Sequence, residues 1–150
     1  MRRRHDALHP LTHHHHHALV AALKLKRAGT AESQFSMDEI KNELRHFWEP
    51  GGQEHFREEE EILLPVYAEH ASLDHPEIPE MLIEHVQIRA LVNQVLKLNE
   101  RTAERMHELG HLLEAHVRKE ERVIFPMIED ALPEEVLQEM AQYLHMNYEK

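Results

Sequence analysis

The apolar residues of the chain recur at the three- and four-residue spacing of amphipathic α-helices, and no stretch alternates as a half-buried strand would. Pro10 opens the first of these segments and Gly29 follows its end, as is usual around a helix. The tetrapeptide Ser-Met-Asp-Glu at residues 36–39 has the form of a capping box and opens the second. The predicted helices cover about residues 10–28, 37–70, 77–98, 102–131 and 134–145.

Long helices joined by short links are typical of a bundle. We therefore predict an all-α fold, an antiparallel up-down-up-down four-helix bundle with a short fifth C-terminal helix. The Pro50-Gly51-Gly52 stretch must interrupt or kink the second helix. A chain of 150 residues is long enough to bury one core, so we expect residues 1–150 to form a single domain.

The composition of the chain argues against several classes of function. With 28 acidic against 17 basic residues, a nucleic-acid or anionic-membrane partner is not expected. The absence of cysteine excludes disulfides, thiolate zinc sites and cysteine nucleophiles. No apolar run approaches the roughly 20 residues of a membrane span and no secretory signal follows Met1, so we expect a cytoplasmic protein. Histidine is the anomaly, because it provides 16 residues, five of them consecutive, and is a common metal ligand.

One segment of the second helix recurs in the fourth. Residues 55–65 read HFREEEEILLP and residues 116–126 read HVRKEERVIFP, so that His, Arg, two Glu and Pro coincide without a gap. Proline is costly inside a helix, and its recurrence at the same offset indicates a repeat rather than shared composition. The second and fourth helices then take equivalent places in a pseudo-twofold bundle, and the first and third helices form the other pair.

Each repeat contains His-x-x-x-Glu, as His55 with Glu59 and as His116 with Glu120. Residues four apart lie about 40° apart around a helix, so each imidazole and its carboxylate point the same way. Both pairs fall on apolar stripes of the kind that a bundle buries. A buried carboxylate is costly unless it is paired or binds a metal, and bundle cores build di-iron and di-manganese sites in this way. The predicted neighbours on these stripes are Ile62 and Val66, and Leu109, Leu112, Val123 and Met127.

The first and third helices each offer one inward-facing histidine. His85 lies on an apolar stripe of the third helix and would face the two His/Glu pairs, which makes it a candidate ligand. In the first helix His15 has the most apolar face. We therefore interpret the five-histidine run as part of the helix and not as a purification tag.

Helical phase predicts which glutamates of the acidic run at residues 58–61 face the core. Glu59 is aligned best with His55 and Glu58 second, whereas Glu60 and Glu61 fall on the solvated side. The pattern leaves open whether Glu58, His14 or His16 also binds metal.

At these residues the chain resembles the hemerythrin-like, HHE cation-binding family. The segments that carry the resemblance are LTHHHHHALV, EHFREEEEILLP, LIEHVQIRALV and HVRKEERVIFP. The resemblance implies a four-helix bundle with a non-haem di-iron centre, bridged by two glutamates and an oxo or hydroxo group. The implied metal ligands are His15, His55, Glu59, His85, His116 and Glu120. Imidazole and carboxylate donors suit iron, with manganese and zinc as alternatives.

The resemblance implies a metal-binding protein more than a dedicated enzyme, with iron and a small diatomic ligand as partners. We expect the centre to bind or sense dioxygen, nitric oxide, peroxide or iron itself. Respiratory hemerythrins carry a second histidine one turn on in the third helix, where this chain has Arg89. An iron with fewer histidines keeps an open position, which favours reaction or sensing over reversible carriage. Two alternatives stay open: a di-iron enzyme with oxidase, peroxidase-like or nitric-oxide-handling activity, and a metal-free interaction bundle.

Overall fold

In the computed structural model, which describes residues 3–97 and 102–144, every regular element is a helix. The helices are α1 His9–Arg27, α2 Met37–Phe47, α3 Gln53–Glu58, α4 Leu64–His70, α5 Glu77–Lys97, α6 Thr102–Lys119, α7 Phe125–Ala131 and α8 Glu134–Ala141. Wider π-helical turns at Trp48–Gly52, Glu59–Leu63 and Glu120–Ile124 join α2 to α3, α3 to α4 and α6 to α7. The all-α class is confirmed. The predicted helix ends at Leu98 and His145 lie outside the described residues, but the fifth helix ends earlier than predicted, at Ala141.

The predicted start of α2 and the predicted interruption after it are both present. The Ser36 hydroxyl accepts from the Glu39 amide at 3.1 Å, and the Glu39 carboxylate accepts from the Ser36 amide at 2.8 Å. Glu49 leaves the helical conformation, with φ −110° and ψ 111°. A Cβ on Gly52 would lie 2.5 Å from Cε3 of Trp48, so the glycine allows the buried indole to pack against the backbone at the kink.

The other two π turns explain the repeated proline. In each, the first amide after the turn donates to the carbonyl five residues back, Leu64 to Glu59 and Phe125 to Glu120. A proline follows immediately in both copies. In a regular α-helix its ring would clash with the carbonyl four residues earlier, and the wider turn is a known way to accommodate such a residue.

The extra residue in each π turn changes which side chains are buried beyond the glutamates. Leu63 is buried where regular periodicity predicted Ile62, and Ile124 is buried where it predicted Val123, which is 41 % exposed. The same one-residue shift continues a turn further on in both copies. The buried stripe is therefore displaced by one residue beyond this point, because the prediction assumed an uninterrupted α-helix. The predicted Ile62, Val66 and Met127 are only partly buried, at the edge of the Leu11 cluster.

The buried apolar residues form two clusters with a polar layer between them. The Ala18 cluster includes Ala18, Leu44, Phe56, Ile88, Leu109 and Val117. The Leu11 cluster includes Leu11, Leu63, Met81, Ile124 and Ile128. Along α1, the buried His14 and His15 lie between Leu11 and Ala18, and the other long helical segments likewise carry buried histidine or glutamate at this level. None of the described helices has both the length and the apolar character needed to cross a bilayer.

The backbone of α1 lies close against α6 at Gly110. A Cβ on this residue would lie 2.8 Å from the Ala22 carbonyl oxygen and 2.9 Å from the Lys26 amide nitrogen. Both distances are too short for a real Cβ contact, so only glycine permits this approach. The contact sets the position of the helix that carries the histidine run.

Replacing Gly110 with alanine should destabilise the protein by about 1–3 kcal/mol, because the added methyl group overpacks a backbone contact. Helix propensity acts in the opposite direction, since alanine is favoured over glycine by about 1 kcal/mol. Urea unfolding followed by circular dichroism measures the difference. The control Ala115→Gly, at an exposed position of α6, should lose only the propensity difference. A G110A variant as stable as the parent would contradict the close contact.

Candidate metal centre

The six residues predicted to bind metal all lie in the polar layer between the two clusters. None of them is more than 4 % exposed. Their donor atoms form two groups of four, and within each group these atoms lie within 4.8 Å of one another. The first group is His15, His55, Glu59 and Glu120, and the second is Glu59, His85, His116 and Glu120. The structure thus brings the whole predicted set together from α1, α5 and both copies of the repeat.

Short contacts hold the first group together. Nε2 of His15 lies 2.9 Å from Oε1 of Glu120, and Nε2 of His55 lies 2.9 Å from Oε2 of Glu59. A longer approach of 3.8 Å joins Nε2 of His55 to Oε1 of Glu120. Two imidazoles and two carboxylates therefore face one another.

The second group repeats this arrangement. Nε2 of His85 lies 3.1 Å from Oε1 of Glu59, and Nε2 of His116 lies 3.0 Å from Oε2 of Glu120. Nε2 of His85 also lies 3.6 Å from Oε2 of Glu120. Each glutamate therefore turns one oxygen toward the first group and the other toward the second.

The polar atoms of the second group are buried without hydrogen bonds. Among the described residues, Oε1 of Glu59, Oε2 of Glu120 and Nε2 of both His85 and His116 have no hydrogen-bond partner. These atoms approach to about 3 Å, but their geometry does not make hydrogen bonds. Buried polar atoms left unpaired cost free energy. A cation among them would satisfy all four, so this donor set fits a metal ion.

Three of the four histidines use their second ring nitrogen, Nδ1, to donate a hydrogen bond to a carboxylate outside the two groups. Nδ1 of His15 lies 2.6 Å from Glu121, Nδ1 of His85 lies 2.6 Å from Glu60, and Nδ1 of His116 lies 2.7 Å from Glu84. An imidazole that donates from Nδ1 presents its Nε2 lone pair, and this second hydrogen bond both orients the ring and makes it a stronger ligand. The outer carboxylates therefore orient these rings so that each Nε2 faces the centre.

All three outer carboxylates are themselves held by cations. Arg4 donates to Glu121 at 3.3 Å. Arg89 donates to both oxygens of Glu60, at 2.8 and 3.2 Å, and Lys119 donates to Glu84 at 2.6 Å. Glu60, assigned to the solvated side by helical phase, is half-buried and hydrogen-bonds His85 instead of lying free in solvent. The π turn that begins at Glu59 brings this side chain to His85, and only the tertiary structure shows the contact.

His55 differs from the other three because its second nitrogen meets another imidazole. Nδ1 of His55 lies 3.1 Å from Nδ1 of His14. His14 is 2 % exposed, and its ring stacks on Phe47 with a centroid distance of 5.2 Å. Helical phase had favoured His15 as the one inward-facing histidine of this run, but consecutive residues at a helix interface can both be buried when neighbours close on either side. The structure therefore adds His14 to the site as a neighbour of His55.

The residues whose ligation the sequence left open lie outside both groups. Glu58 is buried but contributes no atom to either group, and His16 is exposed. His107 is half-buried and donates to the Ala28 carbonyl oxygen at 2.7 Å. His111 is exposed.

Comparison with known families agrees with this geometry. The family model described as hemerythrin HHE cation binding domain matches residues 6–128, which include all six residues of the centre. The chain belongs to the hemerythrin HHE cation-binding family. No curated protein and no solved structure matches the chain significantly. Family membership and the two buried His/Glu groups together indicate that this hemerythrin-like protein binds metal, and iron is the metal typical of the family.

The two shared carboxylates of the hemerythrin-like centre differ in protonation. Burial raises the pKa of Glu59 well above its ordinary value, and the neighbouring Glu120 carboxylate raises it further. Burial would also raise the pKa of Glu120, but contacts with His116, His15 and His55 hold it well below its ordinary value. Without a metal, Glu59 therefore keeps a proton while Glu120 carries the negative charge of the centre.

The histidines of the site also differ in pKa, some raised and some lowered. Burial would lower the pKa of His116, but Glu120 and Glu84 outweigh it and raise the pKa to about 9. Burial lowers the pKa of His55 to about 4 and, with the repulsion of His55, lowers that of His14 to about 2. The His14–His55 pair is thus uncharged near neutral pH, whereas a metal must displace a proton from His116.

A small cavity borders the first group of the hemerythrin-like centre. Its volume is about 10 Å³, which is about the space of one water-sized molecule. Its wall combines the imidazoles of His14, His15, His55 and His116 with the mostly apolar side chains of Ala18, Phe47, Trp48, Phe56, Leu113 and Val117, and with Gly52. The space therefore suits a ligand of two or three atoms more than an organic substrate.

Replacing Glu120 with glutamine should lower the pKa of His116 from about 9, because the Glu120 charge contributes most to raising it. An NMR titration of the His116 ring in metal-free protein measures the change. In the control Glu114→Gln, which removes a carboxylate hydrogen-bonded to Lys26 and Arg118, the His116 pKa should stay the same. An unchanged pKa in E120Q would mean that the two groups are not in contact in solution.

Proposed function

We propose that this chain holds two iron ions, one in each His/Glu group, and uses them to bind or sense a small ligand such as dioxygen, nitric oxide or peroxide. The observation that carries the proposal is the division of the Glu59 and Glu120 oxygens between two groups. In this assignment His15 and His55 would hold the first ion, His85 and His116 would hold the second, and Glu59 and Glu120 would each contribute an oxygen to both. Such carboxylate-bridged pairs are a common way for helical bundles to hold two metal ions.

The path of the helices supports a four-helix bundle around this pair. α1 and α5 each begin in the Leu11 cluster and end in the Ala18 cluster, whereas α2–α4 and α6–α7 run from the Ala18 cluster to the Leu11 cluster. Successive long segments thus alternate in direction across the polar layer. We infer an antiparallel up-down-up-down bundle of one hemerythrin-like domain, with α8 as the short fifth helix against the Leu11 cluster.

The donor count supports ligand binding. Each ion would have two imidazoles and the oxygens of two shared carboxylates, a set close to the two-histidine, one-carboxylate sites that leave positions open on non-haem iron. Arg89 stands where respiratory hemerythrins carry a further histidine, and it binds Glu60 instead. When bound, the iron pair would supply open coordination positions and reducing electrons. The chain's own residues hold the imidazole rings in place and surround the neighbouring cavity with apolar side chains.

The two-ion assignment predicts the metal content of variants. The parent protein, reconstituted with ferrous iron without air, should hold about two ions per chain, and His55→Ala or His116→Ala should hold about one or fewer. Each variant loses one imidazole of one group and disturbs the shared carboxylates. Metal analysis after desalting measures the content, and circular dichroism checks the fold.

His111→Ala is the matched control, because His111 is exposed on the same helix as His116. It should keep the parent metal content. If H55A and H116A both keep it too, the ions do not occupy this centre. If the parent binds no metal and iron leaves its thermal unfolding unchanged, the chain is a metal-free interaction bundle.

The cavity predicts a selective effect on ligand binding. Ala18 lines it and is 3 % exposed, so Ala18→Leu should fill it. Nitric oxide binding to the ferrous protein should weaken about tenfold or more because the ligand then meets a side chain. Optical spectroscopy measures binding, and metal analysis should show unchanged iron. Ala115→Leu, at an exposed position, is the control. Equal nitric oxide affinity in A18L and the parent would place the ligand elsewhere.

A further inference from the structure

The histidine run continues from the centre to the surface. His13, His16 and His17 are exposed on α1, whereas His14 and His15 are buried. We propose that His13 and His17 form a surface site that captures a divalent iron ion, and that His14 passes the ion inward to His55. This inference rests on the proposed function, because it concerns how iron reaches the first group.

The surface pair has the spacing of a two-histidine metal site. His13 and His17 are four residues apart on one helix, so their rings lie on the same face one turn apart. Their ring centroids are 5.6 Å apart and their planes are inclined by 79°. Two histidines at this spacing on a helix bind a single first-row ion together in other proteins. Because both rings are exposed, a hydrated ion reaches them directly.

From this pair, imidazole rings follow one another into the core. The ring centroids of His17 and His14 are 5.9 Å apart, those of His14 and His55 are 5.1 Å apart, and those of His55 and His15 are 4.7 Å apart. Each step is comparable with the separation of His13 and His17 at the surface. An ion can therefore exchange one imidazole for the next without crossing a stretch that lacks ligands.

The surroundings of His14 leave room for this exchange. The 10 Å³ cavity borders His14, His15 and His55, which places a small open space beside the inner steps of the route. Phe47 stacks on His14 and also lines the cavity. On this wall the histidines supply the metal-binding side chains, and the remaining members are apolar, aromatic or glycine.

The hydrogen bond between His14 and His55 couples the two histidines. A neutral imidazole carries one proton, so one of the two facing Nδ1 atoms donates and the other accepts. When Nε2 of His55 donates to Glu59, its Nδ1 accepts from His14, and Nε2 of His14 carries the lone pair that binds metal. When Nε2 of His55 binds the ion instead, the shared proton moves to Nδ1 of His55.

Proton balance is kept in this handover. Nε2 of His55 loses its proton as the ion arrives, and Nε2 of His14 gains one as the ion leaves. His14 is therefore a metal ligand in the first state and a hydrogen-bond acceptor in the second, with no net proton uptake. The ion moves inward because the first group adds the negatively charged carboxylate of Glu120 to its imidazoles, and negative charge at short range binds a cation more tightly than neutral rings do.

The chain contains a second pair of histidines with the same spacing that lies outside the proposed route. His107 and His111 on α6 have the same four-residue spacing, and His111 is exposed. Nε2 of His107 bonds the Ala28 carbonyl oxygen, away from the centre. Glutamine at both positions removes two surface imidazoles without touching the proposed route, so H107Q/H111Q is the control for H13Q/H17Q.

The test is the rate of ferrous iron uptake by metal-free protein without air, at iron concentrations low enough for capture to limit the rate. A chromogenic ferrous chelator in the solution reports the iron not yet taken up. H13Q/H17Q should load about tenfold more slowly than the parent, because it lacks the local supply of iron that the pair provides. Its final iron content should equal that of the parent. H107Q/H111Q should match the parent in both rate and content.

A second variant tests the inner step. In His14→Asn the amide oxygen can take the place of Nδ1 as the acceptor for His55, but no second ring nitrogen remains to bind the ion. H14N should therefore load slowly even with His13 and His17 present, and combining it with H13Q/H17Q should slow loading little further. Additive effects of the two sets would show independent roles and overturn the route.

Failure of this inference differs from failure of the proposed function. If the parent takes up about two ions per chain and H13Q/H17Q loads at the parent rate, the centre stands and the surface route is wrong. If the parent takes up no iron at any rate, the proposed function itself has failed. If H13Q/H17Q and H107Q/H111Q slow loading equally, surface histidines act only as general iron binders, and the route is again wrong.

Discussion

The burial of two facing carboxylates is the constraint on which this structure depends. Glu59 and Glu120 are fully buried, and an acidic pair in a helical core is stable only if protons, donors or cations surround it. The protein surrounds the pair with four imidazoles from α1, α3, α5 and α6. Without metal, one carboxylate keeps its proton and the other is balanced by protonated His116. The donors that tolerate this state are also those that an iron pair requires.

The two halves of the centre differ in the residues that contact the Nδ1 atoms of the four histidines. Glu121, Glu60 and Glu84 hold three of the histidines, and Arg89 and Lys119 anchor two of these acids. His55 instead meets His14, a neutral partner that borders the apolar cavity and the exposed part of the histidine run. Three of the four histidines are thus held by charged partners, and His55 has a neutral partner with open space beside it. The cavity and the exposed histidines of the run both lie near His55.

The π turns connect backbone to function. Each begins at a glutamate that faces both His/Glu groups and ends two residues before a proline, so the same local structure places the glutamate and the packing beyond it. In the second helix the wider turn brings Glu60 within reach of His85, and in the fourth it buries Ile124 in the Leu11 cluster. A regular helix through either segment would turn the next apolar residues toward solvent. The repeated proline is therefore part of the site and not only a helix breaker.

The sequence by itself determined the all-α class, the starts of the long helices, the repeat and the six residues that the structure brings together in the polar layer. These follow from short-range periodicity, since residues four apart share a helix face whatever lies opposite. Tertiary structure decided which acids support the histidines, that His14 is buried beside His55, and that Glu60 contacts His85. Each of these depends on contacts between helices, and Glu84 and His116 are 32 residues apart in the chain. The tertiary structure also decided which apolar residues are buried after each glutamate. One extra residue in a π turn shifts the buried face of the helix, and the periodicity of the sequence does not show this shift.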